Sequence, residues 1–214
     1  MTPHLAAFSF HETKNVTCGE GGALIVNKPE WIERAHFLQE KGTDRKLVLD
    51  GVKSKYHWVD KGSSFLLADI LAAMLLAQLE SVEDIVARRG KITQAYREIL
   101  TPFEKAGNIQ LPHPPAHVVV NNHAFFVIFD IPENRTKFLS LLKEKNVSAY
   151  IGYEPLHSSP MGQSLGNKPE DLPITQDLAS RIVRLPFYTD LASQGLEYCV
   201  NSIKETLSSM YKKV

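Results

Sequence analysis

The stretch Ser9-Phe10-His11-Glu12-Thr13-Lys14-Asn15 leads directly into Thr17-Cys18-Gly19-Glu20-Gly21-Gly22, so that one lysine stands just ahead of a glycine-rich turn. Apolar runs bound the segment on both sides, Leu5–Phe10 before it and Ala23–Asn27 after it, as strands flanking an active-site loop would. A lysine in a tight, partly buried turn is placed to lose its proton, and a neutral amine forms a Schiff base with a carbonyl compound or with pyridoxal phosphate. Glycines let the backbone crowd a bound cofactor, and the Ser9 hydroxyl can hydrogen-bond a phosphate. The same residues also read as an ordinary solvated lysine beside a turn.

Working outward, Pro29 and Glu30 open a helix with an apolar stripe of Trp31, Ile32, Ala35, Phe37 and Leu38, which Gly42 ends. Gly42–Ser64 is polar, lysine-rich and without periodicity, the pattern of a long loop. From Leu67 to about Leu100 the pattern is helical, as one long helix or two in series, with Ser81 and Gly90 as the candidate interruptions. Pro102, Gly107, Pro112, Pro114 and Pro115 cluster between Thr101 and Pro115 and mark a domain boundary there. Beyond it the pattern is α/β: strands at Ala124–Phe129 and Val147–Ile151, helices at Arg135–Glu144, Thr175–Ile182 and Leu191–Ser208, and a loop at Ser158–Pro173.

A chain of 214 residues with 43% hydrophobic content can bury a core of its own. Lys+Arg and Asp+Glu number 24 each, which leaves no net field to draw nucleic acid or an anionic membrane. Phe65–Leu79, the longest apolar stretch, is interrupted by Asp69 and Gln78 and is too short to span a bilayer, so it reads as a buried helix. No basic-then-apolar signal pattern follows Met1, and the two cysteines, Cys18 and Cys199, have neither metal-site nor disulfide spacing. The expected address is the cytoplasm, and no metal site is expected.

The phrase Phe8 to Ala23 closely resembles the Schiff-base segment of the DegT/DnrJ/EryC1/StrS sugar-nucleotide aminotransferases. The resemblance continues through Gly42-Thr43-Asp44-Arg45, Tyr56 to Ser64, and Ala72-Ala73 to Glu80, and resumes at Tyr153-Glu154-Pro155-Leu156-His157 and Arg184-Leu185-Pro186-Phe187. It implies the fold of the type I pyridoxal-phosphate-dependent transferases: residues 1–100 as the last part of the cofactor-binding large domain with a long connecting helix, and 101–214 as a small C-terminal α/β domain. It further implies that Lys14 holds pyridoxal phosphate and carries the proton in both half-reactions, the cofactor being the electron sink. Ser9, Ser63 and Ser64 become contacts to the cofactor phosphate, the two last across a dimer interface. His157 becomes a contact to a nucleotide-linked sugar, while His11 either orders Lys14 or contacts that sugar, with glutamate as amino donor and a 4-keto-6-deoxyhexose as acceptor.

The bare residues admit other roles. Ser63 and Ser64 also suit helix caps ahead of Phe65–Leu79, His11 and His157 suit hydrogen-bonded structure, and Glu20 suits a turn. Where many relatives carry an Asn slightly beyond the serines, this chain has Leu66. In the family the Schiff-base lysine lies near the middle of the chain, and here it is residue 14. The resemblance therefore implies a C-terminal part whose phosphate turn, ring-stacking aromatic and pyridine-binding Asp lie in an absent first half, pairing with that half or as a homodimer. The alternative is a non-catalytic remnant or subunit that acts only through association with a complementary chain.

Overall fold

Two short strands separated by a glycine-rich turn begin the fold. In the computed structural model, which describes residues 4–211, β1 (Leu5–Ser9) pairs antiparallel with β2 (Gly22–Val26), Leu5 opposite Val26 and Ser9 opposite Gly22. A Cβ at position 22 would lie 2.9 Å from the Phe8 carbonyl oxygen, so the strand closes this tightly because the residue is glycine. Pro29 then sits in the first turn of α1 (Pro29–Gln39), where its missing N–H costs nothing. The short α2 (Arg45–Leu49) and the apolar α3 (Asp69–Glu80) follow.

The chain divides into two units, Met1–Glu83 and Asp84–Val214. In the first, no residue of β1, β2, α1 or α3 is buried, so the expectation of a buried helix over Phe65–Leu79 is corrected: Ile70 is 78% and Leu76 58% exposed. A two-stranded sheet has too few elements to cover both its own faces and a neighbouring helix.

The helix α4 (Val82–Lys105) enters the second unit at Asp84 and places Ile92, Tyr96, Leu100 and Phe103 on one buried stripe, the spacing of a single helix face. That stripe joins a core with the antiparallel sheet β3-β4-β5 (Ile109–Gln110, Phe126–Phe129, Ile182–Arg184), with Phe138 and Leu142 of α5 (Pro132–Glu144) and with Ile203 and Leu207 of α8 (Leu196–Met210). Each such side chain contributes about 1.5–3 kcal/mol on burial. The helices α6 (Pro160–Ser164) and α7 (Pro173–Arg181) complete the unit.

Several elements differ from the sequence expectations. Gly90 does not interrupt α4, whereas Ser81 does separate it from α3. Val147–Ile151 is not a strand, since only Tyr150 bridges Arg184 there. Ser158–Pro173 holds α6 and a short 3-10 turn, Pro169–Asp171. The last helix begins at Leu196 rather than Leu191, because a 3-10 turn, Thr189–Ala192, and the left-handed Gly195 at φ 88° precede it.

Candidate functional site

The turn between β1 and β2 hangs from the backbone of one residue, Phe10. Its N–H donates to the Gly21 carbonyl at 2.8 Å, and its carbonyl accepts from Cys18 N at 3.0 Å and from Thr17 Oγ1 at 3.2 Å. Cys18 is fully buried beneath the turn, with Sγ 3.4 Å from the Glu20 carbonyl oxygen. A Cβ on Gly21 would come 2.6 Å from that sulfur, so the thiol and the glycine are fitted to each other. Gly19 takes the left-handed conformation, φ 87°, and its N–H donates to Thr17 Oγ1 at 2.9 Å.

Above this base, Lys14 N donates to the His11 carbonyl at 2.9 Å, closing a β-turn that presents the lysine. The His11 ring is clamped from two sides. Thr13 N donates to Nδ1 at 3.2 Å, which places the ring proton of the neutral form on Nε2, and Nε2 lies 3.3 Å from Glu20 Oε1. Glu20 is thus a turn residue that orients His11. Ser9 ends β1 opposite Gly22, with Oγ 3.5 Å from His11 N.

The expectation that Lys14 is partly buried is corrected. The residue is exposed, since the hairpin that carries it has no covering layer among the described residues. Its Nζ makes no ion pair among them. A carbonyl cofactor requires from the protein an accessible and uncommitted primary amine, and Lys14, with the Ser9 hydroxyl at the start of the same turn, fits that requirement.

Ser63 and Ser64 belong to the same unit but are not helix caps: α3 starts after Ala68, which offers no side-chain cap. They lie instead on a backbone ladder that zips residues 37–44 to 57–65. Gly42 N donates to Phe37 O, Val59 N and Asp60 N donate to Gly42 O, Lys41 N to Ser63 O at 3.1 Å, Ser63 N to Leu38 O at 3.1 Å, and Ser64 bridges Glu40. Gly42 has φ 76°, and a Cβ there would sit 1.8 Å from the Asp60 carbonyl oxygen, so only glycine allows the crossing.

At the far end of this ladder stands Asp44, which sequence reasoning quoted without giving it a role. It is 1% exposed, and its carboxylate accepts from Lys53 Nζ at 2.6 Å and from His57 N at 2.6 Å. The hydrogen bond from Lys53, then that from the His57 backbone, hold its pKa below the ordinary aspartate value against the opposing effect of burial. The only sequence signal is an Asp directly after Gly-Thr in a lysine-rich loop; its partners are 9 and 13 residues away.

His157 belongs to the second unit. It is 9% exposed, in the 3-10 turn Leu156–Ser158, with Nε2 3.2 Å from the Pro169 carbonyl oxygen. Gly162 of α6 packs under it so closely that a Cβ would approach the Leu156 carbonyl oxygen to 2.0 Å.

Residues 2–204 match the model of the DegT/DnrJ/EryC1/StrS aminotransferase family. The chain belongs to that family. It is 30% identical over 203 residues to the erythromycin biosynthesis sensory transduction protein EryC1 of Saccharopolyspora erythraea, covering 93% of this chain and 51% of that protein. It is 25% identical over 205 residues to GDP-perosamine synthase of Escherichia coli O157:H7, covering 95% and 52%. In fold it is similar to the putative sugar aminotransferase Spr1654 of Streptococcus pneumoniae in its PMP form, with a TM-score of 0.82 at 22% identity, covering 96% of this chain and 53% of that one. The chain spans about half the length of the curated relatives it matches. No helix among the described residues is long and apolar enough to cross a membrane.

Proposed function

We propose that this member of the DegT/DnrJ/EryC1/StrS family supplies the lysine of a pyridoxal-phosphate-dependent aminotransferase acting on a nucleotide-linked 4-keto-6-deoxy sugar, in the manner of dTDP-4-amino-4,6-dideoxygalactose transaminase in cell-surface polysaccharide synthesis. The observation that carries this reading is the position of Lys14: an exposed amine that makes no ion pair among the described residues, presented by a turn pinned at Phe10 and Cys18 within the segment that matches the family.

Bound there, pyridoxal phosphate supplies an electron sink that stabilises a carbanion. Lys14 Nζ would anchor the group and, when free as the amine, would accept and return a proton. The Ser9 hydroxyl would donate to the phosphate of this group, and the Ser63 and Ser64 hydroxyls, held on the ladder that Asp44 ends, would donate across the dimer interface to the phosphate bound by the partner subunit. His11, oriented by Thr13 and Glu20, contacts the sugar. Glutamate is the amino donor, and the setting is a cytoplasmic homodimer in which residues 1–100 form the end of a large type I domain with its connecting helix and 101–214 a small domain.

The test is borohydride reduction of the chain with pyridoxal phosphate, followed by peptide mapping. The pyridoxyl mass belongs on the peptide holding His11 to Lys14; label on Lys41, Lys46, Lys53, Lys55 or Lys61 instead would sink the assignment. A second reading, a subunit that acts only by association, is favoured by the exposed apolar residues Phe8, Leu24 and Ile70.

A further inference from the structure

Trp58 is 80% exposed, yet its backbone is held on both sides. It bridges Thr43 across the ladder, the preceding His57 N–H is captured by the buried Asp44 carboxylate at 2.6 Å, and the following Val59 N–H donates to Gly42 O at 2.8 Å. The indole edge rests on Gly42: a Cβ there would stand 3.0 Å from Trp58 Nε1. A large aromatic surface is therefore held out toward solvent on a fixed backbone, and Tyr56, 52% exposed, stands two residues before it.

The charges around it are one-sided. Between residues 41 and 61 the acids are Asp44, Asp50 and Asp60, and each is engaged by a cation: Asp44 by Lys53, Asp50 by Lys46, Asp60 by Arg34 at 2.9 Å. Arg45 faces Glu40 at 3.6 Å. Lys41, Lys55 and Lys61 are exposed and make no ion pair among the described residues. A rigid π surface with uncompensated cations on both sides of it in sequence suits a planar base that carries phosphate groups.

We propose, resting on the nucleotide-sugar reading above, that Trp58 is the stacking platform for the base of the substrate's nucleoside diphosphate and that Lys55 and Lys61 neutralise its diphosphate. Asp44 and Gly42 are the positioning residues of this platform. The even balance of 24 basic and 24 acidic residues over the chain favours a small nucleotide over a polyanionic nucleic acid.

The test uses the full chain without pyridoxal phosphate, so its outcome is independent of whether Lys14 carries the cofactor. Trp31→Phe leaves Trp58 as the only tryptophan, and its emission is followed while dTDP, GDP, inorganic pyrophosphate or a short thymidine oligonucleotide is added, with affinities checked by calorimetry. Saturable quenching by a nucleoside diphosphate is expected. Trp58→Ala weakens that binding about tenfold or more, as loss of one stacked base requires, whereas Trp58→Phe keeps it within a few-fold. Lys55→Ala with Lys61→Ala weakens it and removes most of its salt dependence. Pyrophosphate binds more weakly and equally to wild type and Trp58→Ala. The proposal is overturned if neither nucleotide binds, if Trp58→Ala binds as wild type does, if the oligonucleotide binds more tightly than either nucleotide, or if Trp58 emission responds only to protein concentration.

Discussion

The Asp44 carboxylate and the Lys53 ammonium meet at 2.6 Å with the carboxylate side chain 1% exposed. Because Lys53, and then the His57 N–H, stabilise the ionised form, the Asp44 pKa lies lower in the folded chain than in the unfolded one. Its contribution to stability is therefore complete above the unfolded aspartate value, about 3.9, and is lost as pH falls through the lowered folded value.

The expected outcome is a loosening of the 57–65 segment in acid, read as a change in Trp58 emission below about pH 4. Asp44→Asn retains an acceptor for the His57 N–H but leaves Lys53 without its charge partner. It should lower the melting temperature at pH 7 and flatten the acid dependence. An unchanged acid profile in that variant would show that Asp44 does not govern the loop.

Much of the fold was legible because its signals are local. Pro29 announces α1, and the structure places it in that helix's first turn. Pro132 and Pro173 do the same for α5 and α7; starting those helices at Arg135 and Thr175 leaves out a first turn that proline tolerates. The turn bearing Lys14 is equally local, with glycines at 19, 21 and 22 dictating where the chain reverses. Non-local facts were not legible. The ladder that carries Ser63 and Ser64 depends on pairing residues 37–44 with 57–65, and nothing in a polar, aperiodic loop announces a register. The exposure of Lys14 likewise depends on what covers the hairpin, which no pattern within residues 9–22 encodes.

The second unit has a core that a single truncation should test. Phe129 of β4 is 0% exposed and its ring lies 5.0 Å from that of Phe138 on α5. Phe129→Ala removes the contact between sheet and helix and leaves a cavity, at a cost of about 3–5 kcal/mol. Urea denaturation should show the midpoint falling with little change in slope. A loss below about 1 kcal/mol would mean that this core is not a cooperative unit.

Association should follow from the first unit. The β1-β2 hairpin leaves strand edges open, and Leu24 at 57%, Phe8 at 55% and Ile70 at 78% exposure offer apolar surface. Sedimentation at micromolar concentration should find dimers or larger species, and Leu24→Lys with Ile70→Asp should shift the balance toward monomer. A well-behaved wild-type monomer without a bound partner would count against the surface as an interface.

Lys14 decides the central reading. The side chain is exposed, so Lys14→Arg should leave chemical stability within about 0.5 kcal/mol of wild type, as for other surface substitutions. The guanidinium keeps the positive charge but stays protonated at all accessible pH and offers no nucleophilic lone pair. The wild-type chain alone should bind pyridoxal phosphate weakly and transfer no measurable amino group from glutamate, since one lysine and a few hydroxyls supply only part of the contacts such a group needs. Added to a complementary or longer form, the wild-type sequence should support transfer and the arginine variant should not. Visible absorbance of the bound cofactor, lost in the variant while circular dichroism is unchanged, separates chemistry from folding. Turnover by Lys14→Arg would remove the lysine from the mechanism, and stoichiometric binding with full turnover by the 214-residue chain alone would show that this turn needs no further partner.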